Sequence, residues 1–260
     1  MKIGIFDSGI GGLSVLHLAM KMMPCEEFLY YADESHVPYG EKTEEEILRY
    51  VKENLDFLVS KGAEAIVIAC NTATSVATKE FRSRFPVPIV GMEPAVKKAL
   101  ELYRDEEKRI LVAATPVTIA GDKLHDLLER VDRGHEADLV SLPWLVRFAE
   151  KGEFSSREVD DYLKEELGAF DLAEYSALVL GCTHFNYFKE RFRHVFPNPV
   201  HFVDGNEGTV RQLLRVLPGK PGTVGDGKVS YYFSGRGAYV DEKERLAYCL
   251  KQLERVYYIQ

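Results

Sequence analysis

Two stretches of this chain end in the same way. Ala65-Ile66-Val67-Ile68-Ala69-Cys70-Asn71-Thr72 and Ala177-Leu178-Val179-Leu180-Gly181-Cys182-Thr183-His184 each run through apolar residues to a cysteine, then to hydroxyl and other small polar groups. A cysteine placed there is exposed at a strand-to-helix junction, whereas a packing cysteine more often sits inside the strand among apolar neighbours. Ligands in open α/β sheets bind beyond the carboxyl ends of strands, so two such strands facing each other would bring two thiols into one cleft. His184, two residues beyond Cys182, adds an imidazole whose protonated form favours a thiolate by charge attraction.

Three other readings compete. Cys70, Cys182 and His184 would supply three zinc ligands, but their spacing matches no common zinc module and no fourth ligand is evident. A Cys–His hydrolase needs only one of the thiols and leaves the second motif unexplained. A purely structural role does not account for two matching strand ends. The other cysteines, Cys25 and Cys249, occupy no comparable setting and read as packing residues.

A third block is Asp7-Ser8-Gly9-Ile10-Gly11-Gly12, which follows the first strand and precedes the apolar helical pattern of Leu13, Leu16 and Leu18. Its glycines could offer backbone N–H groups to an anion at a helix amino terminus, or simply make a tight turn. The dinucleotide fingerprint fails because Ser14 stands where a further glycine is needed, and no Gly-Lys-Ser/Thr follows to make a P-loop. Asp7, an acid at a strand end, should have a specific task. Pro38-Tyr39-Gly40 on its own reads as a turn.

Strands must deliver these groups, and the sequence predicts them at Lys2–Phe6, Phe28–Ala32, Ala65–Ala69, Arg109–Ala113, Asp138–Leu142, Ala177–Leu180, His201–Val203 and Val229–Phe233. Amphipathic segments alternate with them. Ile47, Val51, Leu55 and Leu58 fall at helical spacing behind Thr43 and Glu46, a capping box. A second helix is expected to start at Ser155, with Glu158 three residues on and Val159, Tyr162 and Leu163 following. This alternation predicts an α/β fold with mainly parallel sheets covered by helices. Pro218 through Gly227 is a loop by composition.

The chain has 260 residues, a formal net charge of −8 and a pI near 5.5. That charge repels nucleic acid, and no run of Lys and Arg offsets it. No apolar stretch approaches the roughly 18 residues that span a bilayer, and the first residues lack the core and cleavage site of a signal peptide. A cytoplasmic protein with free thiols, without nucleic-acid or membrane partners, is expected.

Together these blocks closely resemble the signatures of bacterial glutamate racemases, within the aspartate/glutamate racemase superfamily. Gly91-Met92-Glu93-Pro94-Ala95, Ala114-Thr115-Pro116-Val117-Thr118, Glu150-Lys151-Gly152 and Tyr232-Phe233-Ser234-Gly235 look like further family blocks, all in family order across nearly the whole chain. The resemblance implies two pseudo-symmetric α/β domains, residues 1–93 with 205–260 and residues 94–204, with the active site in the cleft between them. It implies that Cys70 exchanges the α-proton of D-glutamate and Cys182 that of L-glutamate. Asp7 would support the first thiol, and His184 with Glu150 the second. Ser8, Tyr39, Gly40, Asn71, Thr72, Thr115, Thr118 and Thr183 would hold the carboxylates and the amino group. No pyridoxal phosphate, metal or nucleotide cofactor is implied; the partners would be glutamate and a second copy in a homodimer, and the product would feed peptidoglycan synthesis.

The chain departs from the commonest family pattern at Phe185-Asn186, where many members have Tyr-Pro, and at Val203-Asp204-Gly205-Asn206. Some members carry an amino-terminal extension and need a peptidoglycan-precursor nucleotide. With the first strand starting at Lys2, activity without such a nucleotide is expected. An aspartate racemase is the runner-up enzyme, and a silent amino-acid-binding module the alternative from another class.

Overall fold

The computed structural model describes residues 1–92, 95–103 and 108–259. Glu93 and Pro94, part of one family block and the expected domain boundary, lie outside the described residues. Among the described residues ten strands form two sheets: β1 Lys2–Asp7, β2 Glu27–Ala32, β3 Ala65–Ile68, β4 Ile89–Gly91, β5 Arg109–Ala114, β6 Ala137–Ser141, β7 Tyr175–Leu180, β8 His201–Val203, β9 Val229–Phe233 and β10 Arg236–Gly237. One sheet runs β10-β9-β2-β1-β3-β4 and the other β6-β5-β7-β8. Pairing is parallel except where β10 turns back on β9. The fold is α/β, as the alternation predicts.

All eight expected strands are present, with ends shifted by one residue at most except β7, which starts two residues earlier, at Tyr175. The two that sequence reading omits are short edge strands. β4 follows Pro86-Val87-Pro88, a segment that reads as a breaker, and β10 has only two residues. Proline beside a short run hides an edge strand because edge positions tolerate a missing N–H.

Parallel strands must be buried on both faces, which explains the apolar runs Ala65–Ile68 of β3 and Ala177–Leu180 of β7. The helix Glu44–Ser60 covers one face of the first sheet. Thr43 Oγ1 accepts the Glu46 N–H at 3.3 Å and Glu46 Oε2 accepts the Thr43 N–H at 2.9 Å, completing the capping box. Its Ile47, Val51, Leu55 and Leu58 are fully buried against Phe6, Ile66 and Ile68, each contributing about 1.5–3 kcal/mol of burial. The helix expected from Ser155 has Ser156 at its N-cap position, without a side-chain capping bond, and runs Arg157–Leu167, with Val159 and Leu163 buried. The one-residue shift keeps its apolar stripe facing inward. Pro218 to Gly227 lies in a loop between the helix Asn206–Val216 and β9.

Candidate active site

β1, β3 and β7 end together. Cys70 follows β3 and caps the helix Asn71–Val76, where the Ala73 N–H donates to its Sγ at 3.4 Å. The thiol in turn donates to Ser8 Oγ at 3.6 Å. Burial, reinforced by the nearby Asp7, pushes the Cys70 thiol up to about 12, so it is protonated at neutral pH.

Cys182 follows β7 and is as deeply buried as Cys70. Its Sγ lies 3.7 Å from His184 Nδ1, and His184 Nε2 lies 2.7 Å from Glu150 Oε1. Burial works against a charge on His184, but the hydrogen bonds with Cys182 and Glu150 outweigh it and hold the imidazole well above its ordinary range. Both ring nitrogens can then donate.

Asp7 and Ser8 join the two thiols. Ser8 touches Cys70, while Asp7 Oδ2 accepts from Thr183 Oγ1 at 3.1 Å, beside Cys182. The Gly9 N–H donates to Asp7 Oδ1 at 3.0 Å. Burial pushes the Asp7 carboxyl up to about 6, against the opposing pull of His184 and of the Gly9 N–H. Its hydrogen bonds therefore run to the second thiol's neighbour, although its charge bears on Cys70.

The glycine block has a different use from anion binding by a helix terminus. Glu150 Oε1 accepts the Ile10 N–H at 2.8 Å, so a carboxylate of the protein itself takes that donor. A Cβ at Gly9 would stand 1.8 Å from Glu150 Oε1, and one at Gly11 would stand 2.5 Å from His184 Nδ1. Glycine is required so that the second sheet's strand end can close on the first. Tyr30 and Tyr187 donate to the carbonyls of Gly9 at 2.6 Å and Ile10 at 2.9 Å and hold this turn in place.

Hydroxyls line the opposite side. Thr72 Oγ1 is 2.9 Å from Thr115 Oγ1 and 3.4 Å from Thr118 Oγ1, and Thr115 and Thr118 are 3.1 Å apart. Thr115 stands at a helix start but makes no side-chain cap, which leaves its hydroxyl for this group. Gly40 approaches it so closely that a Cβ would meet Thr115 Cβ at 2.8 Å. Asn71 is half-buried on a cavity wall shared with Thr118.

Tyr39 is placed differently from a free ligand-binding phenol. It donates to Asp33 Oδ2 at 2.6 Å and accepts from Asn54 Nδ2 at 3.2 Å. Burial and Asp33 hold it far above the ordinary phenol range. Asp33, fully buried at the end of β2, also accepts from Ser234 and lies 2.8 Å from His36 Nδ1. Sequence reading missed Asp33, Asn54, Tyr30 and Tyr187. Only Asp33 carried a usable signal, an acid at a strand's carboxyl end.

Known proteins are similar to this chain in sequence and fold. The profile of the Asp/Glu/Hydantoin racemase family matches residues 15–213. The chain belongs to the Asp/Glu/Hydantoin racemase family. A relative from Campylobacter curvus, named glutamate racemase, is 52% identical over 98% of this chain and 98% of its own. Glutamate racemase 2 of Bacillus subtilis is 45% identical, covering 90% of this chain and 89% of its own. Among solved structures, this family member resembles the Campylobacter jejuni glutamate racemase, with a TM-score of 0.81 and 27% identity over the whole of both chains. It also resembles Escherichia coli glutamate racemase bound to L-glutamate and the activator UDP-MurNAc-Ala, with a TM-score of 0.83 and 27% identity over 97% of this chain and 94% of that one. Among the described residues, no helix of this racemase-family chain is long and apolar enough to cross a membrane.

Proposed function

We propose that this protein is a glutamate racemase that inverts the α-carbon with Cys70 and Cys182 as opposed acid–base groups, supplying D-glutamate for peptidoglycan. One observation carries the reading: thiols from the ends of β3 and β7, on separate sheets, meet through the adjacent residues Asp7 and Ser8. A Cα–H beside a carboxylate is a very weak acid, and inversion requires removing a proton from one face and adding one to the other. Two fixed bases do this without moving either one around the carbon.

In the L-to-D direction Cys182 takes the α-proton, with His184 and Glu150 behind it, and the protonated thiol of Cys70 delivers one to the opposite face. The reverse reaction exchanges these roles, with Asp7 receiving the Cys70 proton or pairing with the substrate ammonium. Ser8, Asn71, Thr72, Thr115, Thr118 and Thr183, with the Tyr39–Gly40 turn, hold the carboxylates and amino group. Neutral donors suit a dicarboxylate that must be released every turnover. Nothing in these steps calls for a cofactor.

Incubating the protein with L-glutamate while following optical rotation tests the activity. Rotation should decay to zero. A signal only with aspartate would favour the aspartate racemase reading, and none with either would favour a binding module.

Gly9→Ala tests the Glu150 contact. With a Cβ 1.8 Å from its Oε1, Glu150 must retreat from the Ile10 N–H and from His184. A displacement of that size should cost on the order of a hundredfold in turnover, and Glu150→Gln should lower the same step. Wild-type turnover in Gly9→Ala would remove Glu150 from the mechanism.

The same reading divides the chain into residues 1–93 with 205–260 and residues 94–204. It is supported by strands on either side of the four-stranded sheet joining one six-stranded sheet. It also makes the protein a cytoplasmic homodimer, with the exposed Trp144, Tyr239 and Tyr248 as apolar surface for a second copy. A single-chain mass by light scattering would count against the dimer.

A further inference from the structure

Away from the thiols, a cleft of about 540 Å³ opens between the helices Leu13–Met22 and Val240–Val256 on one side and the starts of the helices Lys189–Val195 and Asn206–Val216 on the other. Its size suits a small organic ligand. Both departures from the family pattern come together here, Asn186 beyond the second thiol and Asp204 with Asn206 after β8, and Lys189 lines the same cleft. The turn Thr183–Phe188 thus carries His184 at the thiols and Asn186 at this second cleft.

The wall holds polar atoms that folding leaves unsatisfied. Ser14 and Asn206 are 5% and 7% exposed, and Ser14 Oγ and Asn206 Oδ1 have no hydrogen-bond partner among the described residues. Such orphaned atoms each cost about 1–3 kcal/mol unless something bonds them. Lys189 is mostly buried, and its Nζ lies 3.9 Å from Asp204 Oδ2, too far for a good hydrogen bond. Burial lowers its ammonium below the ordinary lysine value, with Asp204 opposing.

Charge decides the ligand class. Lys189 and Arg211 balance Asp204 and Glu207, and the lining His17 is paired with Glu254, so the cleft favours a ligand without net charge. Arg211 pairs with Glu207 through Nε at 2.9 Å and is largely exposed at the rim, whereas Lys189 is mostly buried in the cleft, so Lys189 is the cation placed to meet a carboxylate inside it. Asn206 Oδ1 and Asp204 want N–H donors. Leu18, Met22, Leu253 and Val256 supply an apolar wall. We infer that this cleft binds an apolar α-amino acid, its carboxylate on Lys189 and Ser14 Oγ, its ammonium on Asp204 and Asn206 Oδ1, and its side chain against Leu253 and Val256.

Isothermal titration of the full-length protein with L-leucine tests this. Saturable millimolar binding is expected. N-acetyl-leucine, without the ammonium, and leucinamide, without the carboxylate, should each bind at least tenfold more weakly. Lys189→Met and Asn206→Leu should lose leucine binding by a similar factor. Ser14→Ala, which only deletes an unpartnered buried hydroxyl, should keep or raise the melting temperature while weakening leucine several-fold, so the inference survives a poorly folding Lys189 or Asn206 variant as a testable claim. Binding is read without turnover, so its loss and the loss of racemase activity are separate results. No leucine binding would mean that water alone satisfies these atoms, N-acetyl-leucine binding as well as leucine would make the cleft an anion site, and leucine binding unaffected by all three substitutions would place it elsewhere; each overturns the assignment.

Discussion

In heavy water, the first few per cent of D-glutamate formed from L-glutamate should carry deuterium at Cα, while unreacted L-glutamate stays largely protiated. The expectation follows from each thiol carrying one proton. Cys182 removes hydrogen from one face. Cys70, held protonated by burial and Asp7 and pushed up to about 12, has already exchanged with solvent and delivers deuterium to the other. A single base carrying its proton across the carbon would return hydrogen to the product. Cys70→Ala and Cys182→Ala should each remove one acid–base partner and cost about 10³-fold or more, within the range for positioned proton transfer. Cys25→Ala and Cys249→Ala should stay near wild type in turnover. Cys249 is fully buried in the apolar core, and burial pushes its thiol up to about 12. Mass spectrometry of the early product and polarimetry of the variants read both effects. Mainly protiated early D-product, or a Cys182→Ala variant that still racemises well, would overturn the two-thiol assignment.

Asp7→Asn should produce a protein that is more stable and nearly inactive at pH 8. Asp7 is pushed from the ordinary carboxylate range up to about 6, chiefly by burial. An acid whose folded value is raised holds its proton more tightly in the folded state. The fold therefore bears no penalty below about pH 4, an increasing one between about pH 4 and 6, and the full penalty above. Two pH units correspond to about 3 kcal/mol. Asparagine never ionises and escapes this cost. It gives up one of the two acceptors used by the Gly9 N–H and Thr183, which costs about 1 kcal/mol. The net gain should be about 2 kcal/mol at pH 8 and turn into a loss of up to about 1 kcal/mol below pH 4. Activity should fall by about 10²-fold or more, because asparagine can neither take the Cys70 proton nor pair with an ammonium. Wild-type turnover should likewise decline as pH falls through about 6. Urea denaturation at the two pH values and initial rates in both directions measure this. Loss of stability at pH 8 would refute the buried-charge account, and full activity would remove Asp7 from proton transfer.

Much of the molecule is written locally in its sequence. Apolar runs mark β3 and β7 because a parallel strand is buried on both faces, and the polar groups after them mark where each strand leaves the sheet. The Thr43–Glu46 capping box is likewise legible, since its hydrogen bonds join residues three apart. Hence both thiols, His184 and the α/β class could be read from residue order. Tertiary structure decided what depends on approach between distant segments. The glycines after β1 admit Glu150 from 140 residues away, an encounter invisible in the turn itself. Tyr39 is spent on Asp33 and Asn54, which only the packing of the helix Glu44–Ser60 brings together. Asp7 reaches Thr183 because β1 and β7, on different sheets, end at one point. Asn186 and Asn206 looked like separate departures from a pattern until the fold set them on one cleft wall. A side chain's identity fixes what it can donate or accept, but which partner it meets depends on the closure of two sheets whose contacts lie far apart along the chain.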